Sequence, residues 1–278
     1  MGFFKGVKGF GKVAFSLLIV GVVGANGGTI EQLTNQCYQG NLKSCGKAGR
    51  MYYFGRGVPR DRFEAFKLFQ KGCQLGDGDS CAYLGLMYKY GIGVEKRPKL
   101  ALENFKIACE KGSGIGCTQL GMAYDPPSQK GKGVAEGYFY PDLREARRLY
   151  QKGCRLGDID GCAQLGVMFI KGRGGPMDKE KGFQLLEEAC EKGGGLGCSY
   201  LGDVYLKGIL GERDLSKAVR YYWRGCQLGN AGACRKMGEM YQKGLGVPKN
   251  LQKASYFYQV SCDMGNEKGC EALNNLGH

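Results

Sequence analysis

The sequence predicts an all-α chain built as a linear array of antiparallel helix pairs. Three observations predict it. All 14 cysteines fall into pairs eight residues apart: Cys37 with Cys45, Cys73 with Cys81, Cys109 with Cys117, Cys154 with Cys162, Cys190 with Cys198, Cys226 with Cys234 and Cys262 with Cys270. The pairs recur every 36 residues, with one step of 45 between Cys109 and Cys154, and a fixed period in this range marks a repeat architecture. Between the two cysteines of every pair lies the chemistry of a helix end followed by a helix start.

That nine-residue block carries a glycine three residues after its first cysteine, at Gly40, Gly76, Gly112, Gly157, Gly193, Gly229 and Gly265. Glycine suits the left-handed turn just past a helix end. The next position reads Asn41, Asp77, Ser113, Asp158, Gly194, Asn230 and Asn266. Six of these seven offer a side-chain oxygen to cap the free N–H groups of a new helix. One cysteine then sits in the last turn before the bend and the other in the first turn after it, at bridging distance. Disulfides within each pair are therefore expected. A metal site would want CxxC or Cys/His spacing, and the single histidine is His278; neither a metal nor a cofactor is expected.

The chain opens with Lys5, Lys8 and Lys12, an apolar run from Val13 to Val23, and small residues before Asn26. This pattern matches a cleaved signal peptide over residues 1–25, and a run so short does not span a bilayer. Export fits the cysteine content, with periplasm and extracellular medium both open. Residues 26–278 then read as one array of repeats.

Each unit begins with a first helix after its second cysteine, as in Cys81-Ala-Tyr-Leu-Gly-Leu-Met-Tyr88. Apolar and aromatic residues recur three, six and seven positions after that cysteine and share one helical face. A glycine lies four positions after it at Gly49, Gly85, Gly121, Gly166, Gly202 and Gly238. Glycine inside a helix costs about 1 kcal/mol against alanine, so close approach of a neighbouring helix is expected there. A Gly-x-Gly-Val turn follows at residues 55–58, 91–94 and 244–247; no strand precedes it and no Gly-Lys-Ser/Thr follows, which excludes a phosphate loop. The second helix carries a small residue at Ala65, Ala101, Ala146, Gly182, Ala218 and Ala254, and a large one four places on at Phe69, Phe105, Tyr150, Leu186, Tyr222 and Tyr258. Small facing large suits packed antiparallel helices.

Two places depart from the period. Residues 125–141 hold a nine-residue insertion, either a tolerated surface loop or a functional one. At the end, Asn274 replaces the expected glycine, so residues 269–276 read as a terminal capping helix.

The run Leu-Gly-x-Met-Tyr, then Gly-x-Gly-Val, then Ala-x3-aromatic resembles the Sel-one-like repeat, a relative of the tetratricopeptide repeat. The Cys-x7-Cys bracket in every unit is similar to the Helicobacter cysteine-rich protein family. The resemblance covers Thr29 to His278. It implies a right-handed superhelical solenoid of αα-hairpins whose concave groove binds a protein or peptide.

The resemblance also implies penicillin binding and weak β-lactamase activity, on β-lactams or cell-wall peptides. The residues offer little chemistry for that. The lone Ser-x-x-Lys is Ser44-Cys-Gly-Lys47, where helix capping explains the serine, and no Ser-Asp-Asn or Lys-Thr-Gly accompanies it. One terminal histidine excludes a Ser-His-Asp or Cys-His arrangement.

The formal charge is +14, and +11 without the first three lysines. Clusters such as Arg144, Arg147 and Arg148 would attract acidic partners, and no nucleic-acid module appears. If first helices line the concave side, as the resemblance implies, positions two and five after the second cysteine face the groove. They are Lys47, Tyr83, Gln119, Gln164, Tyr200 and Lys236, then Arg50, Leu86, Met122, Val167, Asp203 and Glu239. Tyr83 and Tyr200 are the expected anchors, with Arg50, Gln119, Gln164 and Asp203 beside them. A monomer without a membrane anchor is expected.

Overall fold

The computed structural model describes residues 29–125 and 141–276. The expected signal segment, the interior of the insertion and His278 lie outside the described residues. Within them the chain forms fourteen helices and no strand. A short helix α1 (Ile30–Tyr38) leads into six pairs. These are α2 (Leu42–Phe54) with α3 (Arg62–Gln74), α4 (Gly78–Tyr90) with α5 (Pro98–Glu110), and α6 (Gly114–Tyr124) with α7 (Leu143–Arg155). Then come α8 (Ile159–Lys171) with α9 (Lys179–Glu191), α10 (Gly195–Lys207) with α11 (Leu215–Gln227), and α12 (Ala231–Lys243) with α13 (Leu251–Asp263). A helix of 8 residues, α14 (Glu267–Asn274), closes the array and packs on α13 and α12.

The turn block forms as its letters require. Seven glycines hold φ between +84° and +99°, from Gly265 and Gly112 to Gly40. Asn41, Asp77, Ser113, Asp158, Asn230 and Asn266 each accept a hydrogen bond from the backbone N–H three residues on, at 2.8–3.2 Å. Gly194 has no oxygen to offer and makes no such cap.

Every cysteine finds the partner that its spacing predicts. The bridges are Cys37–Cys45, Cys73–Cys81, Cys109–Cys117, Cys154–Cys162, Cys190–Cys198, Cys226–Cys234 and Cys262–Cys270, with Cα atoms 4.4–4.7 Å apart. No cysteine is left free. Each bridge from Cys73–Cys81 to Cys226–Cys234 joins the second helix of one pair to the first helix of the next. Cys37–Cys45 ties α1 to α2, and Cys262–Cys270 ties α13 to α14. The disulfides thus staple neighbouring repeats together and leave the Gly-x-Gly turn to close each pair. A nine-residue closed loop contributes about 2.5 kcal/mol by limiting the unfolded chain.

The helix-interior glycines have the reason expected of them. A methyl group on Gly49, Gly85, Gly121, Gly202 or Gly238 would lie 2.5–2.9 Å from the ring of Phe69, Phe105, Tyr150, Tyr222 or Tyr258 respectively. Those rings are the large residues of the second helices, and all five are at most 3% exposed. In the fourth pair the plug is Leu186, and Gly166 also meets the backbone of Gly182. The core among the described residues is accordingly a row of small clusters, five of them holding a plug, rather than a single centre.

Every first helix also packs on the next first helix along the array, from α2 on α4 through α12 on α14. Among second helices no such packing recurs past α1 and α3. Elements that crowd together lie on the inside of a curve, so the even-numbered helices form the inner face of the solenoid. Among the described residues, no helix is long and apolar enough to cross a membrane.

Candidate functional site

The inner face is built from even-numbered helices, and the positions two and five after each second cysteine lie on it. Ten of those twelve residues are half-buried: Tyr83, Gln119, Gln164, Tyr200 and Lys236, with Arg50, Leu86, Met122, Asp203 and Glu239. Lys47 is exposed and Val167 is buried at 7%. The sequence placed these positions away from the core, and this needs correction. Val167 packs with Ile170 and Leu186 inside it. Tyr83 and Tyr200 lie against core clusters, each giving one side to the interior. The helices sit close enough along the inner curve that side chains wedged between them are half covered.

The second cysteines anchor these helices from behind. Cys45, Cys81, Cys117, Cys162, Cys198 and Cys234 are buried at the starts of α2, α4, α6, α8, α10 and α12, and Cys270, on the last helix, is half-buried. The sequence read them as crosslinks alone. The structure makes several of them core residues too: Cys45 packs with Ala48 and Leu68, Cys117 with Leu120, and Cys162 and Cys198 with Ala163 and Leu201. A buried, bridged sulfur offers a ligand neither a thiolate nor an open surface, so their role is to hold the face in register.

The N-terminal part of this face is aromatic. Tyr83 stacks on Phe69 with centroids 4.9 Å apart and planes 9° from parallel. Tyr53 and Phe54, at the end of α2, meet the Tyr83 ring edge-on at 5.8 and 6.2 Å. Phe54 is 40% exposed and Tyr90, at the end of α4, is 60% exposed. Burial pushes the Tyr83 hydroxyl above the ordinary phenol range, and the guanidiniums of Arg50 and Arg56 pull against that shift. One helix further on, the Lys89 ammonium donates to Gln119 Oε1 at 2.9 Å.

From the third pair onward the face carries polar pairs, with Met122 and the buried Val167 between them. Tyr150 lies beside Asp125, whose carboxylate pairs with Arg173. Burial, then the Asp125 charge, push the Tyr150 hydroxyl far above the phenol range. Tyr200 is raised by burial and by Asp203. Asp203 accepts from the Tyr222 hydroxyl at 2.7 Å, and Gln242 accepts from the Tyr258 hydroxyl at 2.7 Å. Glu239 pairs with Arg235 and, at 2.9 Å, with Lys236, whose pKa is lowered chiefly by burial. Sequence reasoning missed this network. Its signal was the identity of the plug: tyrosine at 150, 222 and 258 brings a hydroxyl where Phe69, Phe105 and Leu186 bring none.

The remaining sequence candidates fall as follows. Ser44 is 6% exposed, its backbone N–H capped by Asn41 and its hydroxyl donated to Gln36 Oε1 at 2.8 Å, so it serves the helix start. The basic cluster at 144–148 is largely committed: Arg147 lies 4.0 Å over the Phe169 ring and donates to the Pro176 carbonyl at 3.0 Å. Arg148 donates twice to Glu145, at 2.7 and 2.6 Å, and holds that carboxyl below its usual range. Only Arg144 of the three stands exposed without an ion pair among the described residues. It borders a shallow, open hollow of about 700 Å³ at the root of the insertion, with Tyr124, Pro141, Asp142, Leu143, Gly174 and Gly175. That hollow lies at the turn edge of the array, apart from the inner-face residues above.

The family model for the Sel1 repeat matches six times, at residues 43–77, 78–113, 116–158, 159–194, 195–230 and 231–266. A Sel1 repeat protein from Oxalobacter formigenes is 24% identical, over 80% of this chain and 86% of its own, with a TM-score of 0.62. A protective antigen of uropathogenic Escherichia coli with an SLR fold is 24% identical, over 90% of this chain and 52% of its own, at a TM-score of 0.55. Helicobacter pylori cysteine rich protein B is 35% identical over 47% of this chain and 94% of its own, at a TM-score of 0.40. None of the curated protein sequences matches. With six consecutive matches spanning most of its length and a bridge at every repeat junction, the chain belongs to the Sel1 repeat family, in a cysteine-rich form.

Proposed function

We propose that this protein is an exported, disulfide-stapled scaffold that binds a protein or peptide along the inner face of its solenoid. The observation that carries the reading is the contrast between positions on the first helices. The packing positions repeat almost unchanged, while the half-buried inner-face positions hold Tyr83, Gln119, Gln164, Tyr200 and Lys236 in succession. A surface of unlike residues, already part-ordered by packing, is suited to recognise an extended segment at low entropic cost. Repeat solenoids of this architecture present such extended inner surfaces for binding.

Export is supported by the basic, apolar and small-residue order of residues 1–25 and by seven bridges, which fit an oxidising compartment. Cleavage near Ala25 would release a chain starting close to Asn26.

The test is peptide capture. The oxidised chain is panned against a displayed random peptide library, and enriched peptides are measured on the wild type and on Phe54→Ala with Asp203→Ala. Weaker binding by the variant supports the inner face. Enriched peptides that ignore both substitutions would place the site elsewhere.

A further inference from the structure

The aromatic patch at the N-terminal end is flanked by four arginines that form no ion pair among the described residues. Arg50 projects from α2 and is half-buried; Arg56, Arg60 and Arg62 are exposed in and beyond the turn that follows it. The Arg56 guanidinium lies 4.9 Å over the Phe54 ring, Arg60 packs beside Gly55, and Arg62 packs beside Gly93 of the next repeat. Arg60 and Arg62 are both near enough to Tyr53 to oppose the upward shift that burial gives its hydroxyl. The nearby acids pair with none of these arginines and are held by other hydrogen bonds, though Asp79 adds negative charge near Tyr83. Asp61 caps α3 through Phe63 and Glu64, Asp77 caps α4 through Ser80, and Asp79 accepts from Ser113 Oγ at 2.7 Å.

Of the ten arginines elsewhere among the described residues, four form ion pairs: Arg97 with Glu95, Arg148 with Glu145, Arg173 with Asp125 and Arg235 with Glu239. What sets Arg50, Arg56, Arg60 and Arg62 apart is their gathering about one set of half-exposed rings, an arrangement with a complement. Guanidinium forks bind carboxylates in pairs of parallel hydrogen bonds, and exposed rings take up an apolar or aromatic side chain.

We propose that Tyr53, Phe54 and Tyr83, with Arg50, Arg56 and Arg60, form a subsite for an acidic peptide segment in which carboxylates flank an aromatic residue. This rests on the inner-face reading above and names the chemistry of its partner. The carboxylates pair with the guanidiniums while the aromatic side chain lies against Phe54 and the open edge of Tyr83.

The probe is a fluorescein-labelled peptide containing Glu-Asp-Trp-Glu-Asp, compared by anisotropy with the same peptide carrying lysine at each acid. The oxidised full chain should bind the acidic peptide and not the basic one, and binding should weaken as salt rises. Arg56→Ala with Arg60→Ala should reduce affinity by roughly tenfold or more. Arg220→Ala with Arg224→Ala removes the same charge from the exposed side of α11 and should leave affinity within about twofold. Equal losses in the two double variants would reduce the effect to net charge and overturn the proposal. So would binding of a single-stranded oligonucleotide or of phosphatidylserine vesicles with the same dependence on Arg56 and Arg60. If the acidic probe fails while library panning yields neutral or basic peptides sensitive to Asp203→Ala, the subsite falls and the inner-face reading stands. If no peptide of any kind is enriched, both fall.

Discussion

The first two repeats and the last two are the same scaffold with different inner faces. In both, a glycine on the first helix receives a plug from the second, and a bridge ties each pair to the next. In the first half the plugs are Phe69 and Phe105, which end in carbon; the ring cluster of Tyr53, Phe54 and Tyr83 lies against Phe69, and Lys89 lies near Phe105. In the second half the plugs Tyr222 and Tyr258 end in hydroxyls, bound to Asp203 and Gln242. The plug's hydroxyl thus accompanies a satisfied polar face at Tyr222 and Tyr258, and its absence at Phe69 accompanies the ring cluster. Polar groups bonded to one another have little left to offer a ligand, whereas open rings and unmatched arginines do.

The largest effects should be equal in the two halves, because they concern the shared scaffold. Replacing Cys73 and Cys81 together with serine should cost about 2.5 kcal/mol in chemical denaturation, and replacing Cys226 and Cys234 should cost a similar amount. A repeat array also loses cooperativity when one junction is loosened, so the unfolding curve should broaden or split. Sharply unequal costs would break the view that one scaffold underlies both faces. Next in size, Gly85→Ala and Gly202→Ala should each cost about 2 kcal/mol, because the new methyl meets the rings of Phe105 and Tyr222 at 2.6 and 2.5 Å. Gly232→Ala, where a methyl meets only the Asn230 side chain at 3.2 Å, serves as the tolerant control.

These scaffold features were legible in the sequence because each answers to local chemistry at fixed spacing. Gly76 and Asp77 specify a helix end and a helix start within two residues, so the bridge between Cys73 and Cys81 follows from neighbours alone. The same holds at Cys109–Cys117 and at Cys190–Cys198, even though Gly194 brings no capping oxygen to the latter. Gly202 announced a close approach, since only that repays glycine inside a helix. The inner face was less legible because it is assembled from different helices, as Tyr53 with Tyr83 and Asp203 with Tyr222. Val167 occupies the same register as Asp203, and its burial depends on Ile170 and Leu186 rather than on its own helix alone. The Arg144, Arg147 and Arg148 run is a dense basic cluster in the sequence, yet Phe169, Pro176 and Glu145 absorb two of its members. The scattered arginines at 50, 56 and 60 gather only when the α2–α3 turn folds beside the rings of α4.

Smaller effects should separate the halves. Tyr222→Phe removes the donor to Asp203 and should cost about 1 kcal/mol by thermal melting, more than a surface change and less than a cavity. Phe69 carries no such bond, and its ring stacks on Tyr83, so Tyr83→Ala should lower stability as well as binding. Arg56→Ala and Arg60→Ala should lie at the bottom of the scale, within about 0.5 kcal/mol, since both are exposed and unpaired. A large stability loss at either arginine would mean that the charge is structural.

The most direct test is where a bound peptide touches the chain. The acidic peptide, carrying a photoreactive benzophenone in place of its aromatic residue, is bound to the oxidised protein, irradiated and mapped by mass spectrometry. The account predicts adducts on α2 and α4, at or beside Tyr53, Phe54 and Tyr83, lost when Arg56 and Arg60 are replaced. Adducts concentrated on the second helices, or spread along α10 and α12 with no dependence on those arginines, would contradict it.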